Sequence, residues 1–156
     1  VGGKWTTYRK MAQDVVDLLI EKFDFPKVPN KTSQIEIAGN ITVAKQEDKN
    51  HLYIYGSDLE NLKAIQSINS EYLNKIHKNY DYTIAEVIWS VRNEMARTVE
   101  DVLARRVRLL FLDARAATEA APLVARILAK ELNKNEDWIQ SQIDAFNSLA
   151  KNYILT

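Results

Sequence analysis

The chain has 156 residues, 46% of them hydrophobic and 27% charged, with 4 Gly and 3 Pro, which is long enough for one domain with a real core and too apolar for a disordered chain. Lys plus Arg and Asp plus Glu are both 21, so the formal net charge of zero gives no electrostatic reason to expect nucleic acid or an anionic membrane as partner. The absence of Cys excludes disulfides, thiolate zinc sites and cysteine nucleophiles, and is compatible with a reducing cytoplasm.

VGGKWTTYRK opens the chain with no signal-peptide pattern and no start Met, which favours a piece of a larger protein; no later apolar run reaches transmembrane length. Thr6 or Thr7 caps a first helix whose Met11, Val15, Leu18, Leu19 and Phe23 recur at helical spacing, and Phe25-Pro26 and Val28-Pro29 end it. From about residue 24 to 56 the chain reads as an irregular connector. Asn30, Gly39 and Asn40 supply turns, and IEI and ITV are short enough for one marginal hairpin. HLYIYGSD leads through Gly56 into a region that reads as helix throughout.

Three capping boxes punctuate that region: Ser57 with Glu60, Thr83 with Glu86, and Thr98 with the shorter Asp101. Each sets a hydroxyl before a helix and a carboxylate at its third residue, where the two reciprocally satisfy free backbone N–H groups. Ile84, Val87, Ile88, Val91 and Met95 follow as a narrow buried stripe. Pro122 suits the first turn of a helix begun near Thr118, carrying Leu123, Ile127 and Leu128. Asn135 caps a last helix bearing Trp138, Ile139, Ile143, Phe146 and Leu149, with Glu136 and Asp137 at its positive end. The expected fold is all-α, a bundle-like arrangement of roughly six helices with an irregular connector.

Gly2-Gly3-Lys4 does not satisfy a nucleotide P-loop, which needs Ser or Thr directly after the lysine; Trp5 intervenes. It suits either a plain turn before a helix or a cofactor contact. In the second case the glycines let backbone approach a ligand, and the helix start adds free N–H groups and positive potential. RTVEDVLARRVRLLFLDAR concentrates Arg97, Arg105, Arg106, Arg108 and Arg115. Glu100, Asp101 and Asp113 are interleaved within ion-pairing reach, which favours a salt-bridged surface or interface over a phosphate-binding face. His51 and His77 lack ligand spacing, so no metal is expected, and no Ser-His-Asp or Cys-His set is present.

GGKWTTYRKMAQD at 2–14, HLYIYGSD at 51–58, AEVIWSVRNEMARTVEDVLARRVRLLFLDARAA at 85–117 and APLVARILAKEL at 121–132 together resemble the C-terminal part of FAD-dependent, quinone-linked glycerol-3-phosphate dehydrogenases. The resemblance spans nearly the whole chain and is weakest in the connector. It implies a parent that oxidises sn-glycerol 3-phosphate to dihydroxyacetone phosphate, reduces FAD and passes electrons to a quinone or, in oxidase relatives, to oxygen. Residues 1–9 would end the FAD-binding domain and 10–156 would form a helical C-terminal cap domain.

By the same resemblance Gly2 and Gly3 would approach the isoalloxazine, and Lys4 would lie by its pyrimidine edge and the substrate. Thr6 and Thr7 would contact the C2 carbonyl side, while Tyr8 and Arg9 would pack between domains. No catalytic residue is expected within the chain itself, which alone should bind neither FAD nor substrate appreciably. The implied partners are its own N-terminal FAD-binding domain, glycerol 3-phosphate and quinone, with no nucleic acid; peripheral membrane association and a homodimer are open to the parent. The implied location is the cytoplasm or the cytoplasmic face of the inner membrane. The rival from another class is a free-standing helical interaction module that uses an Arg-rich helix over 97–115 to bind a protein or RNA.

Overall fold

A computed structural model describes residues 3–40 and 51–154. It divides into two compact units, Val1–Asn40 and Ile41–Thr156.

The first unit is built on α1, Tyr8–Phe23. Asp24 closes it in the left-handed conformation (φ 51°), just ahead of Phe25-Pro26 as the sequence predicts. Beyond it the chain runs irregularly, with a tight turn at Thr32–Gln34 seeded by Asn30, whose Oδ1 accepts from the Thr32 N–H at 2.7 Å, and a second around Gly39 (φ 75°) closed by the Asn40 N–H on the Ile37 carbonyl at 2.9 Å. Arg9 reaches across to the Thr32 hydroxyl at 3.3 Å. Residues 25–40 contain no strand; IEI is not extended into a ladder, and the ITV half of the expected hairpin lies outside the described residues. No residue of α1 is buried. Its apolar positions are exposed instead, including Val15, Leu18, Leu19 and Phe23.

The second unit carries the core. His51–Asp58 is a run of 3-10 turns kinked at Gly56 (φ 52°, ψ −126°), so the last part of the expected connector is helical. The Ser57–Glu60 box does not form: α2, Leu59–Ile68, begins behind Asp58 with no side-chain cap, and Glu60 pairs with Lys63 at 2.8 Å. The region beyond is not all helix. β1, Lys75–His77, and β2, Tyr80–Thr83, form an antiparallel hairpin closed by Lys78-Asn79. Ile76 and His77 are buried, and the hairpin is tied down by His77 Nε2 to Glu119 (3.0 Å) and the Tyr80 hydroxyl to Asp113 (3.1 Å). Long-range bonds of this kind have no local sequence signature.

α3, Ile84–Asn93, opens on the Thr83–Glu86 capping box. Its buried surface is wider than one stripe, because Val87 and Val91 join the main core while Ala85, Ile88 and Trp89 join a second cluster with Tyr55, Leu62 and Ile65. Met95 does not continue the stripe. The helix ends at Asn93, Met95 turns left-handed (φ 58°), and its side chain is 77% exposed.

The Thr98–Asp101 box does form, with the Asp101 N–H on the Thr98 hydroxyl and the Thr98 N–H on the Asp101 carboxylate, both 3.0 Å. It starts a wide π-helical turn, Asp101–Arg106, closed by the Val107 N–H on the Val102 carbonyl. Arg108, left-handed at φ 58°, separates that turn from α4, Leu109–Leu112. α5, Ala114–Leu132, is capped by Asp113, whose carboxylate accepts from the Ala116 N–H (2.9 Å), and its first residue lies four before the expected start at Thr118. Its buried face is largely alanine, at 114, 116, 117, 120, 121, 125 and 129, which lets α3 and α6 (Glu136–Ala150) approach closely. Asn135 caps α6 as predicted, through the Trp138 N–H at 3.0 Å.

Pro122 therefore stands inside α5, not in its first turn. An interior proline costs about 3 kcal/mol, whereas replacing it returns about 0.4–1 kcal/mol of freedom to the unfolded chain. Pro122→Ala, which restores an N–H opposite the Thr118 carbonyl, is expected to raise stability by about 2 kcal/mol in urea unfolding. An unchanged midpoint would mean that neighbouring groups already compensate for the lost bond.

The fold among the described residues is thus mostly helical, as expected, with one small hairpin added.

Candidate functional site

The residues singled out at the chain start lie in the first unit. Gly2 falls outside the described residues. Gly3 and Lys4 are exposed and non-helical, and Trp5, Thr6 and Thr7 form the turn that leads into α1. The turn is closed by the Thr7 N–H on the Lys4 carbonyl at 3.3 Å. Thr7 is the N-cap residue, but its hydroxyl points to the Met11 sulfur (3.4 Å) and makes no cap bond. The first turn of α1 carries no acid.

A helix start with neither cap nor carboxylate leaves its leading amides free, and the macrodipole adds positive potential there. Lys4 contributes a full charge beside it. This donor set suits an electron-rich oxygen, such as a carbonyl at the edge of a heteroaromatic ring. An apolar hollow of about 720 Å³ adjoins it, lined by Gly3, Lys4, Trp5, Tyr8, Met11 and Val15 among others. Trp5 is 93% exposed. A side chain built on Gly3 would meet no atom within 4 Å, so within this unit Gly3 is not demanded by packing.

Two sets of groups in the second unit were not legible beforehand. The first is centred on Glu86, 1% exposed. Its carboxylate accepts from the Thr83 N–H (2.7 Å), the Thr83 hydroxyl (3.0 Å) and the Tyr55 hydroxyl (3.2 Å), and it meets His51 Nε2 at 3.1 and 3.2 Å. The hydrogen bond to Glu86 raises the His51 pKa, against the opposing effect of burial. Burial pushes the Tyr55 phenol well above its usual range, and the Glu86 charge adds to this. The capping box flagged Glu86 as a helix cap; its bonds to His51 and Tyr55, 35 and 31 residues away in sequence, carry no local signal.

The second set surrounds a cavity of about 420 Å³ where the 3-10 run meets the turn before α4. His51, Tyr82, Arg106, Arg108, Phe111 and Leu112 line it, and no carboxylate does among the described residues. His51 and Tyr82 rings meet edge-on at 5.2 Å, and the Arg108 guanidinium lies 5.9 Å from the Phe111 ring centre.

The arginine-rich run does not form the single helix that the interaction-module alternative needs. Between 97 and 115 the chain passes through a π-helical turn, a left-handed residue, a four-residue helix and the start of α5. Arg97 donates to the carbonyls of Val91 (3.0 Å) and Ala96 (2.8 Å). Arg105 pairs with Glu100 (2.5 Å) and Asp101 (3.0 Å), and Arg106 with the Glu94 carbonyl and carboxylate. Of the three interleaved acids, Glu100 and Asp101 pair with Arg105 as expected, while Asp113 instead accepts from the Ala116 N–H and the Tyr80 hydroxyl.

His77 and His51 are not joined; each meets its own carboxylate. Among the described residues there is no group of three His, Asp or Glu side chains able to hold a metal ion, and no helix long and apolar enough to cross a membrane.

The sequence pattern of a family described as the C-terminal domain of alpha-glycerophosphate oxidase matches residues 2–139. Similar proteins include the mitochondrial glycerol-3-phosphate dehydrogenase of Schizosaccharomyces pombe, 28% identical over 98% of this chain and 29% of its own length. The probable mitochondrial glycerol-3-phosphate dehydrogenase of Dictyostelium discoideum is 32% identical over 83% of this chain and 22% of its own. The human mitochondrial enzyme of that name is 27% identical over 92% of this chain and 22% of its own. The chain thus spans less than a third of each relative. No solved structure matches it significantly. These likenesses do not support a free-standing interaction module. With the match running from the glycine start through α5 and into α6, this chain belongs to the family of the C-terminal domain of alpha-glycerophosphate oxidase.

Proposed function

We propose that this chain is the helical C-terminal domain of an FAD-dependent glycerol-3-phosphate dehydrogenase, the parent oxidising sn-glycerol 3-phosphate to dihydroxyacetone phosphate and passing electrons to a quinone. In this reading residues 1–9 are the last segment of the FAD-binding domain and 10–156 are the cap. The observation that carries it is the family match over residues 2–139, beside α1, a 16-residue amphipathic helix with an uncapped, acid-free start and an apolar face left exposed within its own unit. An apolar face of that size costs stability in water, at about 25 cal/mol for each Å² left uncovered. A neighbouring domain would cover it.

FAD, when bound, supplies the acceptor for the hydride removed from the substrate carbinol. The described residues suit its electron-rich carbonyl edge: Gly3 would admit close backbone approach, with Gly2 beside it in sequence, Lys4 would bring positive charge, and Thr6 and the free amides of α1 would supply donors, joined by the Thr7 hydroxyl once it leaves the Met11 sulfur. Their role is to hold and orient; Lys4 would also touch the substrate. The base that takes the substrate hydroxyl proton and the groups that grip its phosphate belong to the rest of the parent. The proposed partners are the chain's own FAD-binding domain, glycerol 3-phosphate and the quinone. Peripheral membrane association and a homodimer remain proposals for the parent. Its proposed location is the cytoplasmic face of an inner membrane or the cytoplasm, with the mitochondrion, named for its relatives, as the other candidate.

Two measurements test this. The longest protein encoded with this chain should be yellow and reduce a quinone analogue when given glycerol 3-phosphate, and Lys4→Met in it should lower kcat about tenfold or more with a shifted flavin potential. The 156-residue chain alone should be colourless and show no thermal shift with FAD. A clear shift at micromolar FAD, or a Lys4→Met parent with unaltered turnover, would overturn the assignment of these residues.

A further inference from the structure

The cavity between the 3-10 run and α4 is not used by the function proposed above. Its lining is chemically one-sided. Arg106 is held in place by the carbonyl and carboxylate of Glu94, and His51 by Glu86, so both are fixed and locally neutralised. Arg108 differs. Among the described residues no carboxylate lies within ion-pairing distance of it, and its guanidinium is exposed at the cavity over the Phe111 ring.

Its backbone is also unusual. At φ 58° and ψ 22° Arg108 occupies the left-handed region, which strains an L side chain and which glycine adopts freely. A position chosen only for the turn would favour glycine or asparagine. An arginine there adds strain and makes no ion pair with a described residue; what it does add is an exposed guanidinium lining a cavity that aromatic and aliphatic groups also line. Strained backbone of this kind clusters at ligand sites. The volume, about 420 Å³, falls in the range of small-molecule sites, roughly 300–1,000 Å³.

We infer that this cavity binds a small organic oxyanion, a phosphate or carboxylate joined to a flat apolar group. Arg108 takes the oxyanion, and the apolar group rests against Phe111 and Leu112. Tyr82, which also lines the cavity, supplies a second polar group. Planar guanidinium groups match such oxyanions with paired N–H donors. The site lies wholly in the second unit and does not depend on the flavin reading.

Phenyl phosphate is the probe, titrated calorimetrically into the full chain at low salt. Binding is expected to weaken as salt rises, and inorganic phosphate should bind at least tenfold more weakly. Arg108→Gly separates binding from folding: relief of the left-handed strain should raise the Tm while affinity for phenyl phosphate falls at least tenfold. Arg108→Lys should retain part of the affinity, and Arg126→Gln, an exposed arginine of α5, should retain all of it. The inference is overturned if phenyl phosphate fails to bind, if Arg108→Gly binds within twofold of the parent, or if inorganic phosphate binds as tightly. Sedimentation with phosphatidylglycerol vesicles distinguishes a lipid headgroup as the source of the anion. Vesicle binding without phenyl phosphate binding would overturn a soluble ligand.

Discussion

Glu86→Ala is expected to destabilise the protein by about 3–5 kcal/mol, measured by urea unfolding. The carboxylate is buried and takes two donors from Thr83, one from Tyr55 and one from His51. Removing it uncaps α3 and strands the Tyr55 hydroxyl and a partly buried imidazole. Glu86→Gln keeps most of the volume and can still accept from Thr83, so it should cost less. It weakens the hydrogen bond to His51 and removes the charge, however, and with them the main causes of the raised His51 pKa, to which Asp81 also contributes.

That gives the change a pH signature. In the folded protein His51 holds its proton more tightly than in the unfolded chain, whose histidine titrates near about 6.5. Its contribution to stability is therefore complete below about pH 6.5 and is lost as pH rises through the higher folded value. Glu86→Gln should flatten this slope. A His51 proton resonance titrating at the same pH in parent and variant would overturn the account.

Phe146→Ala is the second large effect, about 3–5 kcal/mol, because the ring is 2% exposed in the core that α6 shares with α5. Phe23 in α1 provides the contrast. It is 58% exposed, so Phe23→Ala should change the stability of this chain by no more than about 0.5 kcal/mol. In the longer parent the same substitution should cost more, if a flavin domain covers α1 as proposed. Equal, small effects in both settings would remove the physical argument for that cover.

The helical class was legible because most of its signals are local. The 3.6-residue spacing of Met11, Val15, Leu18 and Phe23 and the Asn135 cap each act within a turn or two, and each appears in the structure where expected. The Thr83 and Thr98 boxes formed for the same reason, and both then drew on further contacts. Ser57–Glu60 has the same spacing but no box, because Gly56 kinks the chain immediately before it.

What the sequence by itself determined, then, was the helical class, most helix positions and, through four separated blocks of resemblance, the family. Helices are built from contacts between residues three or four apart, so their signal survives in a linear reading. Only the tertiary structure decided the hairpin at 75–83, the early start of α5 that leaves Pro122 inside it, the outward turn of Met95, and the meeting of His51 and Tyr55 on Glu86. Each of these depends on groups tens of residues apart or on a backbone turn whose strain the surrounding core offsets, and neither leaves a periodic trace in the chain.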